Sequence, residues 1–336
     1  EEPSGADGDA PGLVLVSTER LDAVIELRPR DFTVTVGPGL RIGRLREAVE
    51  ERGLWLAAGG SGAARSVGGW IAASSPGPWD AAFGPVRRQL LACRVATHDG
   101  RLFAWGRPVM KNVAGYDLPR LMAGSRGRLG ALSRVTLRLW PRPDAVEAHE
   151  MAGDPERLET LLPELEAAGV DLLAWLWSPG SGHRLRILLA GSAASVARRR
   201  SELARRAAAR GTAVAEAPPE EVAEDRADRA RPPGTIAFRW TPGRRYLPRG
   251  LRDLAASAGP RPARIEAYPA TGAVVATFGG APDPVAVPAG PLAIERGGPE
   301  FHEEAERRRS PAARAIEERV VAALGGRSRT WQADYL

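Results

Sequence analysis

Of the 47 Lys and Arg residues in this 336-residue chain, one is lysine: Lys111, in the run Lys111-Asn112-Val113-Ala114-Gly115-Tyr116-Asp117. A composition drifted this far toward arginine turns interchangeable lysines into arginines. The retained one marks a place where a compact ammonium with three rotatable donors fits and a planar guanidinium fork does not. The competing reading is chance survival at an exposed site, or a pair with Asp117. Two small-residue segments flank this run: Ser66-Val67-Gly68-Gly69 continuing to Ser74, and Gly124-Ser125-Arg126-Gly127-Arg128-Leu129-Gly130 continuing to Leu132. Glycines let backbone amides approach a ligand closely, and successive N–H groups aimed into one concavity hold an anion. A pair of such turns can grip a pyrophosphate from both sides. Neither matches the dinucleotide fingerprint of the Rossmann fold or the phosphate loop. Taken singly, each reads as tight turns in a close-packed sheet.

Other chemistries are poorly represented. The four histidines, His98, His149, His183 and His302, have no metal-ligand spacing, so no metal site is expected. No nucleophile elbow or Cys/His pair occurs, and no catalytic residue can be assigned. Cys93, the one cysteine, sits in an apolar strand and reads as a buried small hydrophobe. It excludes an internal disulfide and cannot alone hold an iron–sulfur cluster. The net charge of +6 is spread out, without aromatic interleaving or a zinc-finger signature. Nucleic acid is therefore not an expected partner, and an acidic protein is preferred. With 43% hydrophobic and 26% charged residues, the composition is that of a soluble globular protein. No stretch is long and apolar enough to cross a bilayer, the start lacks the pattern of a signal peptide, and the expected location is cytoplasmic.

The elements that must position these residues follow from the periodicities. Strands are expected at residues 13–16, 23–27 and 32–36. Ile42, Leu45 and Val49 with Leu54 give an amphipathic helix ended by Gly53, and residues 56–62 form a flexible loop. Strands at 90–97 and 101–105 join at Asp99-Gly100, a strong hairpin signal. A strand at 135–140 ends the first region before Pro141-Arg142-Pro143. Beyond residue 150 the texture becomes α+β. Helices are expected at 155–168 and 193–210, with strands at 172–177, 184–189, 235–240, 265–268 and 274–278. An exposed Pro-, Ala- and charge-rich connection spans 216–233, and a last helix spans 312–324. No internal repeat is evident, so two unlike domains are expected, residues 1–143 and 144–336.

Within this order, Val67-Gly68-Gly69, Phe83-Gly84, the Lys111 run with Leu118, Arg120-Leu121-Met122-Ala123-Gly124-Ser125, Gly127 and Leu129-Gly130 resemble the FAD-binding domain of the vanillyl-alcohol-oxidase or PCMH superfamily. The stretch from Met110 to Gly130 is most similar to the FAD-binding E subunits of bacterial glycolate oxidases. The likeness covers residues 12–143 well and the remainder in layout only. It implies an α+β architecture: a PCMH-type FAD-binding domain of two α+β subdomains, followed by a smaller α+β C-terminal domain that caps it and docks partners. It further implies an extended FAD, with Ser66, Val67, Gly68, Gly69, Ser74, Gly84, Gly124, Ser125, Gly127, Gly130 and Leu132 as cofactor-binding positions. By the same resemblance Lys111, Asn112, Gly115, Tyr116 and Asp117 lie near the cofactor, with Lys111 supplying positive charge to the flavin or its phosphates.

The sequence departs from the family at three places, one of them its end, which reads Gly325-Gly326-Arg327-Ser328-Arg329 where the family has Phe-Asp-Pro followed by Asn-Pro-Gly-Arg. The family's first strand and its glycine-rich pyrophosphate loop are missing, so the flavin domain is expected to be incomplete at its N-terminal side. Arg128 also stands where a small hydroxyl residue is usual. The implied function is that of the FAD-binding subunit of a glycolate oxidase, a 2-hydroxyacid dehydrogenase complex that turns glycolate into glyoxylate. The implied partners are a catalytic flavoprotein subunit and an iron–sulfur subunit, with peripheral membrane association through that complex. The alternative is a structural subunit of the same complex that holds no FAD.

Overall fold

The computed structural model describes residues 16–58, 62–77, 79–108, 117–170, 172–219, 236–240, 264–268, 271–278 and 292–296, together with 262, 315, 318–320 and 322. In the first region the elements are β1 (Val24–Arg28), β2 (Thr33–Val36), α1 (Ile42–Glu50), β3 (Leu54–Trp55), α2 (Val67–Ala73), α3 (Asp80–Phe83), α4 (Val86–Gln89), β4 (Leu90–Ala96), β5 (Leu102–Gly106), α5 (Pro119–Met122), β6 (Ala131–Arg138) and β7 (Trp140–Pro141). A five-stranded sheet runs β1-β2-β6-β4-β5, antiparallel throughout. Ile42, Leu45 and Val49 recur on one face of α1 and are fully buried with Val34, Val36, Ile71, Val95 and Leu137, which gives this region its own core. The hairpin expected at Asp99-Gly100 is present: Gly100 has φ +80° and the Thr97 hydroxyl donates to Asp99 Oδ1 at 2.7 Å. β6 begins four residues earlier than expected because Gly130, at φ +134°, lies so close to Ala96 that a Cβ would come within 2.4 Å of that carbonyl. The strand can therefore abut β4 from its first residue.

The second region contains β8 (Ala145–Gly153), α6 (Pro155–Ala167), β9 (Leu172–Ser178), β10 (Gly182–Gly191), α7 (Ala193–Ala209), β11 (Val214–Ala217), β12 (Ile236–Trp240), β13 (Arg264–Tyr268), β14 (Ala273–Phe278) and β15 (Leu292–Arg296). Asp154 caps α6 by accepting from the amides of Glu156 and Arg157, and Ser192 caps α7 through Ser195 N. The strands form one eight-stranded antiparallel sheet, β11-β8-β10-β9-β13-β14-β12-β15. One of its faces packs under α6 and α7 through Trp175, Leu185, Ile187, Leu189, Ile265, Ala267 and Val274.

Four strands, β3, β8, β11 and β15, were not expected from the sequence; Leu54, read with the helix of Ile42, Leu45 and Val49, instead pairs with Pro141 in β3. In β8 the alternation is masked because Glu147, His149 and Glu150 interrupt its apolar positions. His149 is nevertheless buried, with its ring 3.3 Å from Glu147 Oε2, while Glu150 pairs with Arg186 on the other face. Glu216 and Ala217, expected to open an exposed connection, instead complete β11 on the edge of β8, a correction enforced by the pairing of Glu216 with His149 and Ala217 with Ala148. Residues 220–233 of that connection lie outside the described residues, as do 13–15 of the first expected strand; Val16 is not in a strand. Of the expected last helix, positions 315, 318–320 and 322 are helical and the others lie outside the described residues.

The two regions meet through side chains. Trp79 and Ala57 of the first pack with Ala148 and Leu188 on the helix-free face of the second sheet. Trp55, Trp79, Phe83 and Trp140 make a chain of edge-on and tilted ring contacts there, with centroids 5.2, 5.7 and 5.0 Å apart in sequence.

Candidate functional site

The first small-residue segment folds as α2. Ser66 is its N-cap, accepting from Gly69 N at 3.1 Å. The next two amides are also engaged within the chain: Val67 N donates to Leu40 O at 2.9 Å and Gly68 N to Pro38 O at 2.7 Å. Gly68 is required by this approach, since a Cβ there would lie 2.9 Å from Pro38 Cβ. What this segment offers a ligand is a surface of small residues rather than a set of unused donors. Its C-terminal end is Ser74, in the left-handed region at φ 47°.

That end is where the second segment arrives. Gly124 N donates to Ile71 O at 3.0 Å and Arg126 N to Ala72 O at 3.1 Å, so carbonyls left over from the last turn of α2 are satisfied by the 124–130 turn. Gly124 and Gly127 are exposed and adopt φ +83° and +76°. The Ser125 hydroxyl, placed between them, is buried and has no hydrogen-bond partner among the described residues. An orphaned hydroxyl beside an exposed glycine edge is uncommon in a folded protein, where buried polar groups are normally paired.

A third turn comes from Phe83-Gly84. Gly84 has φ 79° and ψ 159°, backbone essentially restricted to glycine. Its carbonyl is held by Gln89, a fully buried side chain whose Nε2 donates to Gly84 O at 2.9 Å and to Ala57 O at 3.0 Å. Gln89 Oε1 is buried without a partner. Nearby, Asp80 accepts from Gly77 N at 3.1 Å, and burial pushes its carboxyl up to about 7.

The helix-free face of the second sheet supplies a further wall. Register places Arg184, Leu176, Glu266, Val275 and Arg239 in one row across β10, β9, β13, β14 and β12. Arg264 pairs with Glu266 at 2.5 Å, and Arg186 with Glu150 at 2.7 Å. Arg239 crosses to the first region, its Nη1 donating to Ser74 O at 2.8 Å. Ser74 is thus brought together with Gly124, Ser125 and Gly127, whereas Ser66, Gly68 and Gly69 lie at the other end of α2 and Val67 is fully buried in the core of the first region. Gly130 lies against Ala96 and Leu132 lies in the core of the first region, so both have a packing role. Asp117 is exposed and pairs with Arg120 at 2.7 Å. Lys111, Asn112, Gly115 and Tyr116 lie outside the described residues. Gln89, Asp80 and Arg239 were not anticipated. The signal for Arg239 was present, a cation between Phe238 and Trp240 in a strand, where alternation sends neighbours to opposite faces.

Among the described residues no three His, Cys, Asp or Glu side chains gather to hold a metal ion. Cys93 is buried, and burial raises its thiol to about 12, so it is neither a nucleophile nor a ligand at neutral pH.

Residues 2–106 match the protein family described as "FAD binding domain". Residues of this chain are 34% identical over 145 positions to a probable mitochondrial D-lactate dehydrogenase of Danio rerio, covering 42% of this chain and 29% of that protein. They are 50% identical over 62 positions to the glycolate oxidase subunit GlcE of Escherichia coli, covering 18% of each. The aligned part thus spans about a third or less of these curated relatives. Among solved structures, p-cresol methylhydroxylase with substrate bound is similar in fold, with a TM-score of 0.67 and 12% identity over 91% of this chain and 76% of that one. The orphaned Ser125 hydroxyl and the exposed glycine edge fit an elongated cofactor with hydroxyl and phosphate groups, and the resemblance read from the sequence is borne out: residues 2–106 match an FAD-binding domain and the fold is of the PCMH type.

Proposed function

We propose that this chain is the FAD-binding subunit of a glycolate oxidase complex, a 2-hydroxyacid dehydrogenase that converts glycolate to glyoxylate. The observation that carries the reading is the junction at Ser74. There two small-residue segments from an FAD-binding domain meet, and Ser125 presents a buried hydroxyl with no partner of its own. When bound, FAD supplies the electron-accepting and electron-donating chemistry. The chain's own groups bind and orient it. Ser125 donates to a phosphate or ribitol oxygen, the exposed edges of Gly124 and Gly127 permit close approach, and Gly84, pinned by Gln89, closes the other side. Ser66, Gly68, Gly69 and Ser74 form the small-residue floor, which Val67 supports from the core. Lys111, Asn112, Gly115, Tyr116 and Asp117 complete the contacts. No residue is assigned as general base, which is consistent with substrate oxidation on a partner flavoprotein subunit and onward transfer through an iron–sulfur subunit. The complex works in the cytoplasm or at its membrane face.

A second reading is favoured by one observation. The amides of Val67, Gly68 and Gly69 are already bonded within the chain, as they would be in a subunit that keeps the fold without the cofactor. Purifying the full-length protein with its partners and recording the visible flavin bands, then FAD released on denaturation, separates the two. A stoichiometric flavin in this subunit and glycolate-dependent dye reduction by the complex support the first reading. A colourless subunit in an active complex supports the second.

A further inference from the structure

Among the described residues, two contacts of different character between the second sheet and the first region lie far apart. At β8 and β10, Ala148 and Leu188 pack on Ala57 and Trp79, an apolar contact that resists separation but has little directional preference. At β12, Arg239 donates from Nη1 to Ser74 O at 2.8 Å, bridging 165 positions of sequence. Between β10 and β12 lie three strands, so the two anchors are roughly 19 Å apart at the usual inter-strand spacing. A sheet seated only by the apolar anchor can rock about it, and the displacement is largest at the far strands. The hydrogen bond at β12 opposes that motion at the far strands.

Where this bond lands gives it a second consequence. Ser74 is the left-handed C-cap of α2, and a guanidinium at that carbonyl meets the negative end of the helix dipole. A Cβ on Gly124 would lie 3.5 Å from Ser74 Cβ, and the two carbonyls just before Ser74's turn receive the amides of Gly124 and Arg126. The guanidinium from the second sheet therefore grips the point at which both small-residue segments join. Moving that point moves the exposed edge of Gly124 and the orphaned hydroxyl of Ser125 with it.

We propose that Arg239 is a positioning residue that couples the seating of the second sheet to the geometry of the cofactor site, so that FAD retention depends on this cross-sheet hydrogen bond. The proposal rests on the FAD reading given above. It is tested in the full-length protein by titrating apoprotein with FAD and measuring the flavin midpoint potential, for wild type, Arg239→Met, Arg239→Lys and a control, Arg206→Met. The control breaks the Arg206–Glu202 ion pair on α7, which lies on the other face of the second sheet. Arg239→Met is expected to raise the Kd for FAD about tenfold, equivalent to about 1.4 kcal/mol, and to shift the potential. Arg239→Lys keeps the charge with a less well shaped donor and is expected to weaken FAD about threefold, whereas the control leaves both values unchanged. A role in general stability alone would lower the melting temperature of Arg239→Met without changing the potential, and that result overturns the proposal. Unchanged Kd in both Arg239 variants of a wild type that binds FAD overturns this inference alone. A wild type that binds no FAD overturns the functional reading as well. If Arg239→Met does not fold, the threefold loss expected for Arg239→Lys decides, and equal affinity refutes.

Discussion

Replacing Gln89 by Leu tests whether one buried amide holds the Gly84 turn in place. In the fold, Gln89 Nε2 satisfies two carbonyls, Ala57 O at 3.0 Å and Gly84 O at 2.9 Å, while Oε1 is buried and unpaired. Leucine has nearly the same volume, so the change leaves little cavity and mainly strips two acceptors of their donor. A buried polar group without a partner costs about 1–3 kcal/mol, so two abandoned carbonyls cost roughly 2–6 kcal/mol. The orphaned Oε1 disappears at the same time, which returns about 1–3 kcal/mol by the same reasoning. The expected net loss is about 2 kcal/mol. At roughly 2–4 °C per kcal/mol for a unit of this size, Tm falls by about 4–8 °C. Gln89→Glu removes the donor and keeps two oxygens, so at pH 7 a carboxylate faces two carbonyls and the loss is larger, with partial recovery at low pH as the protonated acid regains one O–H donor. Thermal melts of both variants at pH 7 and pH 4.5 check the order wild type, Leu, Glu. A Leu variant as stable as wild type, or a Glu variant indistinguishable from it at pH 7, would refute the assignment of Gln89 as the clamp.

Asp80 predicts a pH dependence of defined sign. Its carboxyl rises from 3.8 to about 7 on folding, chiefly through burial, so between those values the folded state binds more protons than the unfolded one. Stability from this group therefore falls as pH rises through that window. The full penalty, at most about 4 kcal/mol, is present above pH 7. Asp80→Asn keeps an oxygen for Gly77 N, and its urea midpoint is expected to exceed that of wild type at pH 8 and to vary less between pH 4 and 8; a parallel pH profile would count against the burial argument. Gly130→Ala forces a Cβ to within 2.4 Å of Ala96 O at φ +134° and is expected to cost more than about 3 kcal/mol. Gly127→Ala, at φ +76° with open space around it, should cost only about 1 kcal/mol. Equal chemical-denaturation midpoints for these two would show that the strand start does not depend on that contact. Ser125→Ala deletes a hydroxyl that has no partner in the fold, so the apoprotein should be as stable as wild type or slightly more so. FAD should bind it several-fold more weakly, and unaltered FAD affinity would remove Ser125 from the site.

What the sequence disclosed and what it withheld divide along a physical line. Elements whose burial is set by local periodicity were legible: α1 through Ile42, Leu45 and Val49, the Asp99-Gly100 hairpin, and α6 and α7 with their apolar stripes. β8 was not, because its polar residues are satisfied by distant partners, Glu150 by Arg186 and Glu147 by Arg200 from α7, and β11 shows itself only through its pairing with β8. A window of ten residues cannot contain those pairings. At the candidate site the glycine segments were legible as small residues, but their reason was only half visible. Gly68 is small because Pro38 lies against it and Gly130 because Ala96 does, whereas Gly124 and Gly127 are small on an open edge. Composition treats the four alike; only the neighbours separate a glycine that packs from a glycine that can receive a ligand. The same distinction applies to polar residues. Arg239 reads in sequence as one arginine among many, and it becomes informative only because the pairing of β12 with β14 turns it toward Ser74. The candidate site is thus assembled from long-range pairings, which periodicity alone cannot show beyond its frame.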